Sequence, residues 1–507
     1  MQHNSKLFLA PFIRSGLLDI LALLLGAISL FAFAPFQLYG WLFLSIAGLF
    51  WVLQAGSLAR AVWRGWLYGA GAYGIGMLWL FAIAEHVAAT DGVNPIVVGI
   101  LGAILLLVML APLLIAWLYR LLANHIAAPI SWQHGLGFAA IWVFIEWLRS
   151  WLFSGFPLLQ PGYAVVETPL SAWAPIGSVL AVTFVVVLLS VWLVLLVLPC
   201  ATLRQRLYRI GVCVSLVGCS IGLTAFDWTT PTHQPLQVRL IHGLTDQVDK
   251  YKRFKVMDTV EDYLARSTVK PLPDLVIWPE SSIAFALRDV YYLIHQPAQD
   301  LQTQGTTLLL GAYIDTIQGM QNVLVEATAL DRYYAKRHLV PYGEYTPTIP
   351  GLDLAQHLPD LAMNELAPGD PVQPLLQVQD IPLATTICFE NLFGHEQRHG
   401  WQQARFLVQI SDLAWFVHTW AADQLLQVSQ MRAREAAKPV LQATNHGITA
   451  AIDFQGIIQQ RSDADTKVID TVLIPRTGTT PYTDFAEWPL GVLIIGCLMV
   501  AMRRRAP

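Results

Sequence analysis

Long apolar runs constrain this 507-residue chain more than any other feature. A helix needs about twenty apolar residues to cross the hydrocarbon of a bilayer. Runs of that kind lie near residues 16–34, 38–55, 66–84, 96–118, 136–153, 178–198, 208–226 and 487–502. The last is short, but Trp488 can anchor its outer end and Arg503-Arg504-Arg505 its inner end. The first has no small-residue cleavage site and is followed closely by another run, so it reads as a retained helix. The chain is 55% hydrophobic and 13% charged, against roughly 25% charged residues in an average soluble protein. That apolar excess is confined to the first 226 residues and the last 20 or so.

Basic residues orient these spans, because cytoplasmic loops carry the excess of Lys and Arg. Lys6 and Arg14 precede the first span, Arg60 and Arg64 separate the second from the third, and Arg120 follows the fourth. Arg204, Arg206 and Arg209 join the sixth to the seventh, and the Arg triplet follows the eighth. The alternate loops, 85–95 and 154–177, contain neither Lys nor Arg. Eight spans with both termini in the cytoplasm satisfy every loop, and residues 227–486 then lie on the outer side. In a bacterium this is the periplasmic face of the inner membrane. Within span five, Glu146 and Arg149 are three apart and share a helix face. They read either as an ion pair at the outer interface or as a functional pair.

Residues 227–486 read differently. Acidic residues outnumber basic ones, which gives no reason to propose a nucleic-acid partner. Short β-rich runs at 238–241, 275–278, 307–313, 323–327, 383–388, 406–410, 440–443 and 448–452 alternate with helical patterns at 251–267 and 421–438. This is the pattern of an α/β core. Of the five cysteines, only Cys388 falls here, so the domain cannot form an internal disulfide. No Cys/His spacing suggests a metal, and no cofactor is implied.

Three stretches carry chemistry. In Leu383-Ala384-Thr385-Thr386-Ile387-Cys388-Phe389-Glu390, an apolar strand stops at a thiol on a turn. A cysteine held that way is either a buried structural residue or a nucleophile. In Val276-Ile277-Trp278-Pro279-Glu280, a strand ends at a proline, which cannot donate to the ladder, and a carboxylate follows. In Lys336-Arg337-His338-Leu339-Val340-Pro341-Tyr342-Gly343-Glu344, a lysine leads an apolar run and a second carboxylate follows a turn. Taken singly, each charge reads equally as a solvated loop residue.

The order Trp-Pro-Glu, then Lys with Leu-Val-Pro-aromatic-Gly-Glu, then Ile-Cys-aromatic-Glu resembles the nitrilase (carbon–nitrogen hydrolase) superfamily. With the membrane spans, the chain is similar to the apolipoprotein N-acyltransferase family within it. Gly155-Phe156-Pro157, Gly162-Tyr163, Ala414-Trp415-Phe416, Thr444-Asn445 and Thr480-Pro481-Tyr482 carry the same resemblance. The resemblance implies an eight-helix membrane bundle (1–226 and 487–507) joined to a nitrilase-like αββα sandwich (227–486). It implies a Glu–Lys–Cys triad: Glu280 as general base, Lys336 as oxyanion-stabilising cation and Cys388 as nucleophile. Glu344 would orient the lysine or shuttle protons. Phe389 and Glu390 would shape the thiol's turn, and Tyr251, Trp415 and Phe416 would bind substrate. The implied partners are a phospholipid acyl donor and a diacylglyceryl apolipoprotein acceptor, with the protein a monomer.

The chain departs from the family pattern at several positions. Phe389 stands where Tyr is usual, and Asp412 and Leu413 stand where Asn and Asp are usual. Asn445-His446 replaces Asn-Asn, and Tyr251 replaces Trp. Leucine-rich residues 349–368 and the segment 413–426 read as mobile apolar arms that guide acyl chains, or as ordinary core. Three other readings compete: a membrane-tethered amidase or nitrilase hydrolysing a small amide, a transporter or lipid-binding scaffold with a degenerate enzyme domain, and a Cys–His–Asn arrangement using His446 and Asn445.

Overall fold

The computed structural model describes residues 5–85, 95–126, 130–198, 202–232, 234–245, 250, 252–347 and 365–503. The chain divides into two compact units, residues 1–226 with 485–507 and residues 227–484.

The first unit is helical: α1 (Ser5–Ser29), α2 (Gly40–Val52), α3 (Leu58–Gly76), α4 (Pro95–His125), α5 (Trp132–Arg149), α6 (Ala174–Val197), α7 (Leu203–Thr224) and, from the far end of the chain, a helix at Trp488–Met502. Helical segments thus occupy all eight apolar stretches, but length and composition do not make eight crossings. Among the described residues four helices are long and apolar enough to span a bilayer, or five if α3 and the segment after its 55° bend count as one. Two of the others are short: α2 and Trp488–Met502 rise about 20 and 23 Å, against a hydrocarbon core of about 30 Å. The helix α5 has its apolar run interrupted by Gln133, His134, Glu146 and Arg149.

Several charged groups inside this unit are paired. Asp19 accepts from Arg60 at 2.7 Å and Arg64 at 2.8 Å, and Arg64 also donates to the carbonyls of Val52 and Ala55. Glu146 and Arg149 form an ion pair at 2.5 Å. The same guanidinium donates to the carbonyls of Phe156 (2.5 Å) and Leu158 (2.8 Å), so the pair fastens the turn after α5.

Helices α1 and α3 meet where both are glycine. A Cβ on Gly26 would lie 2.0 Å from the Tyr68 carbonyl oxygen, and one on Gly71 would lie 2.1 Å from that of Leu23. Small residues let helix backbones approach this closely in an apolar medium.

The second unit is a sandwich of two six-stranded sheets between two helix layers. Its strands are β1 (Leu236–Ile241), β2 (Leu275–Ile277), β3 (Thr307–Thr316), β4 (Gly319–Glu326), β5 (Ala329–Ala335), β6 (Leu376–Val378), β7 (Ile381–Ile387), β8 (Phe406–Asp412), β9 (Val440–Asn445), β10 (Ala450–Ile452), β11 (Ile458–Arg461) and β12 (Val468–Leu473). One sheet has the order β12-β1-β2-β3-β4-β5 and the other β11-β10-β9-β8-β7-β6. In each, three parallel strands form the centre (β1, β2, β3 and β7, β8, β9) and antiparallel strands form the flanks.

The period-two alternation of side chains explains the layers. Leu236, Val238, Leu240, Leu275, Ile277 and Leu309 meet Leu383, Ile387, Phe406, Val408, Ile410 and Leu441 in the core between the sheets. The alternate residues Ile241, Val276, Leu308 and Leu310 pack under α8 (Arg253–Ser267) and α9 (Tyr291–Thr303), through Val260, Tyr263, Ile294 and Leu301. Ala384, Leu407 and Val440 pack under α10 (Gly394–Gln403) and α11 (Ala421–Ala436), through Trp401, Leu426 and Ala433. Every β-rich run named from sequence contains a strand, whereas β5, β6, β11, β12, α9 and α10 add elements the sequence pattern did not mark.

The glycine contact generates a paired test. Gly71→Ala should lower thermal stability in detergent by about 1–3 kcal/mol, the usual range for forcing volume into a packed site. Gly16→Ala, where a Cβ meets nothing within 4 Å, should leave it unchanged or raise it slightly through helix propensity. Equal effects on the two melting curves would exclude close α1–α3 packing.

Candidate active site

Parallel strands present their carboxyl ends on one side of a sheet, and that edge is where ligands bind in α/β folds. Cys388 follows β7 directly, Glu280 lies three residues past β2, and Lys336 follows β5 directly. Two local features permit the turns. Gly311 on β3 lets the Trp278-Pro279-Glu280 turn press close, since a Cβ there would sit 2.3 Å from the Pro279 carbonyl oxygen. Cys388 has φ +54°, a left-handed conformation that a non-glycine residue seldom adopts and that is found most often where a side chain must be aimed.

The charged groups form one buried cluster. Lys336 Nζ donates to Glu344 Oε1 at 2.7 Å and lies 3.5 Å from Glu280 Oε1. Lys336 is 1% exposed and Glu280 4%. Glu280 Oε1 also accepts from the Asn322 side-chain amide at 2.7 Å, and its Oε2 accepts from the Asp412 backbone N–H at 2.7 Å. The Lys336 N–H donates to the Asn322 carbonyl oxygen at 2.8 Å, so one residue of β4 holds both Glu280 and Lys336. Glu344 Oε2 accepts from the Val340 N–H at 2.7 Å, which closes the turn that carries it.

Electrostatics follows from burial and charge count. Burial works against the Lys336 ammonium, but Glu344 and Glu280 together outweigh it and hold the lysine well above its ordinary pKa. Burial pushes Glu280 upward, and Glu344 and Asp412 add to that, while Lys336 and Asn322 oppose it. Burial and the Glu280 charge push the Cys388 thiol far above its usual range, with Lys336 opposing. This environment favours the thiol over the thiolate.

Glu390 is fully buried and ties the lysine segment to the cysteine turn. Its Oε1 accepts from the N–H of Arg337 (2.7 Å) and of His338 (3.2 Å) and from the Tyr334 hydroxyl (3.0 Å). Its Oε2 accepts from the Ile387 N–H at 2.8 Å, one residue before the thiol. Phe389 packs edge-on to His338 and Phe393, with centroids 5.5 and 5.0 Å away. Trp415 and Phe416 stand, half-buried, in the short turn Ala414–Phe416 that follows β8. Tyr251 and residues 349–364 lie outside the described residues. Next to the latter, Leu366 is buried and its N–H donates to the Glu344 carbonyl oxygen. In the other proposed arm, Leu413, Ala414, Ala421 and Leu426 are buried core. Asn445, considered from sequence as a partner of the cysteine, is bonded to Asp412 and Thr245.

Sequence reasoning missed Asn322 and Lys250. Asp412 was seen only as a departure from a pattern, although it ends an apolar strand just as Cys388 follows one.

The Glu390 strap generates a prediction. In Glu390→Gln, either the amide opposes a backbone donor or the Oε1 contacts weaken. Each lost hydrogen bond to the charge costs about 1.5–3 kcal/mol. Thermal stability and Cys388-dependent turnover should therefore both fall, and Tyr334→Phe should do less of each. Wild-type turnover in Glu390→Gln would show that the strap does not set the thiol's turn.

Comparison with known proteins places the chain. Residues 25–192 match the apolipoprotein N-acyltransferase N-terminal domain, and residues 250–483 match the carbon–nitrogen hydrolase domain. An apolipoprotein N-acyltransferase of Methylococcus capsulatus is 32% identical, over 96% of each chain. One of Chromobacterium violaceum is 33% identical, over 97% of this chain and 95% of that one. Among solved structures, XC1258 of Xanthomonas campestris, a CN-hydrolase superfamily protein, is 17% identical over 52% of this chain and 97% of its own, with a TM-score of 0.35. An amidase of Nesterenkonia sp. AN1 is 12% identical over 51% and 98%, with a TM-score of 0.33. Similarity at this level over nearly the whole length shows that this membrane protein belongs to the apolipoprotein N-acyltransferase family.

Proposed function

We propose that the protein transfers a fatty acyl chain from a membrane phospholipid, through a thioester on Cys388, to the α-amino group of the N-terminal diacylglyceryl-cysteine of an apolipoprotein. The observation that carries this reading is the buried Glu280–Lys336–Glu344 cluster coupled to a protonated Cys388 at the end of β7, in a chain of this family.

The first half-reaction starts when Glu280 takes the thiol proton and the sulfur attacks the ester carbonyl. The oxyanion that forms is stabilised by the Lys336 ammonium and by the backbone N–H of Phe389. One preorganised donor of this kind is worth about 3–4 kcal/mol. The intermediate collapses with loss of the lysophospholipid alkoxide, which receives the proton from Glu280, and a thioester remains. In the second half-reaction the lipoprotein amine attacks the thioester, Glu280 accepts the amine proton, and the amide is released as Cys388 recovers its proton. This is a ping-pong route. Glu344 keeps Lys336 charged and in place throughout. Phe389 packs the thiol's turn, Trp415 and Phe416 line the acyl path, and Tyr251 contributes to substrate binding.

In the same reading all eight helical segments cross the inner membrane of a bacterium, both termini are cytoplasmic, and the catalytic unit faces the periplasm. The alternation of Lys and Arg between loops supports this topology. Both substrates are amphiphiles, so a membrane-anchored site suits them.

Incubation of the purified protein with phospholipid should add the mass of one fatty acyl chain to the Cys388 peptide, and a diacylated lipopeptide should discharge it. Cys388→Ser should show no thioester. Turnover of a small amide with no acyl adduct would replace this reading with a hydrolase.

A further inference from the structure

Lys250 is a second buried lysine beside the site, and the chemistry described so far does not use it. Its side chain is 4% exposed and forms an ion pair with Asp412, whose side chain is 11% exposed. A lysine is almost never buried to this degree unless it is paired. A buried ion pair is also weak evidence for stability, because desolvation offsets the attraction. The arrangement therefore calls for another explanation, and the contacts of Asp412 supply one.

Asp412 is the last residue of β8, and its backbone N–H is the donor to Glu280 Oε2. Its side chain is held on every side. Oδ2 takes Lys250, while Oδ1 accepts from the Asn445 side-chain amide at 2.9 Å and from the Ala414 N–H at 3.2 Å. Asn445 lies opposite Asp412 in the parallel register of β8 and β9. It is itself fixed, accepting from the Thr245 N–H and donating to the Thr245 carbonyl oxygen, both at 3.1 Å. The segment after β1, Lys250 three residues before α8, and the ends of β8 and β9 thus converge on one carboxylate, whose own N–H grips Glu280.

We propose that Lys250 and Asp412 form a charge-balanced clamp that positions Glu280, with Asp412 as the positioning residue and Lys250 as the counter-ion that lets a third carboxylate stand beside the base. The proposal rests on Glu280 being the general base. Asp412 adds a negative charge beside Glu280, and Lys250 cancels it. The other groups facing Glu280 are Lys336 after β5, Glu344 in the next turn, Asn322 on β4 and Cys388 after β7. The clamp adds no net charge to that set while intact, and it unbalances the set when either member is removed.

The signs are therefore opposed. Lys250→Met leaves Asp412 uncompensated, so Glu280 ionises less readily. Asp412→Asn leaves Lys250 uncompensated, so Glu280 ionises more readily. Thioester formation would be followed by mass spectrometry against pH, on the full-length protein in detergent with dioleoyl phosphatidylethanolamine. In Lys250→Met the acidic limb of the rate should move up by about one pH unit, and in Asp412→Asn it should move down by a similar amount, as expected for a charge within a few ångströms. The double variant should return toward wild type. Limbs that stay in place while rates fall uniformly would reduce the pair to a structural contact and overturn the proposal. If Lys250→Met does not fold, the near-isosteric Asp412→Asn decides alone, by whether its limb moves down. Glu280→Gln is the control. Wild-type acylation in that variant would sink the base assignment itself, whereas an inactive Glu280→Gln with unmoved limbs elsewhere would sink the clamp alone.

Discussion

The catalytic unit is arranged around the buried ammonium of Lys336. A charge removed from water at the end of a sheet is tolerated only with opposite charge and hydrogen bonds in place. Glu344 and Glu280 supply the charge, and Asn322 and the Val340 N–H orient the carboxylates. Those two carboxylates repel each other and raise the thiol's pKa, so none of the three can be placed independently. This coupling explains why the site draws on β2, β4, β5, β7 and β8, and why the loops leaving those strands are fastened by side-chain bonds to backbone.

Glu390 and Asp412 solve the same mechanical problem on the two sides of that cluster. Each is a carboxylate at a strand end beside the cluster; Glu390 is held by three backbone N–H donors and the Tyr334 hydroxyl, Asp412 by the Ala414 N–H and the Lys250 and Asn445 side chains. Glu390 links the segment after Lys336 to the residue before Cys388. Asp412 links the ends of β8 and β9 and presents its own N–H to Glu280. A site on loops held this way approaches the precision of one built on the strands themselves.

Much of this was legible in the sequence, for identifiable reasons. The central strands are buried on both faces and therefore read as continuous apolar runs such as Leu275-Val276-Ile277. Glu280 and Cys388 stand out because each closely follows such a run, and Lys336 because it leads the apolar run Leu339-Val340-Pro341. The outer strands were hidden. In β5, Asp331 and Arg332 are exposed, and β11 consists largely of exposed polar residues. Edge strands of that kind carry no apolar pattern. Asn322 and Lys250 were hidden for another reason: their partners Glu280 and Asp412 are 42 and 162 residues away, and no local spacing announces a contact across such distances. In the membrane part the sequence marked where helices form but not how long each is, because apolar composition marks a segment without fixing its helix length, as α2 shows with 13 residues.

The elevated thiol pKa has two consequences for acyl transfer. On the proposed route it keeps Cys388 protonated before acylation, so that the sulfur depends on Glu280 being placed to accept its proton. After acylation the same environment makes the thiolate a poorer leaving group, since leaving-group ability falls as thiol pKa rises. A thioester on such a sulfur would yield its acyl chain more slowly to water and to an amine alike. On the proposed route the choice between them therefore rests on which nucleophile the site admits and on Glu280 accepting its proton, and exclusion of water is what turns a hydrolase's acyl-enzyme into a transferase's.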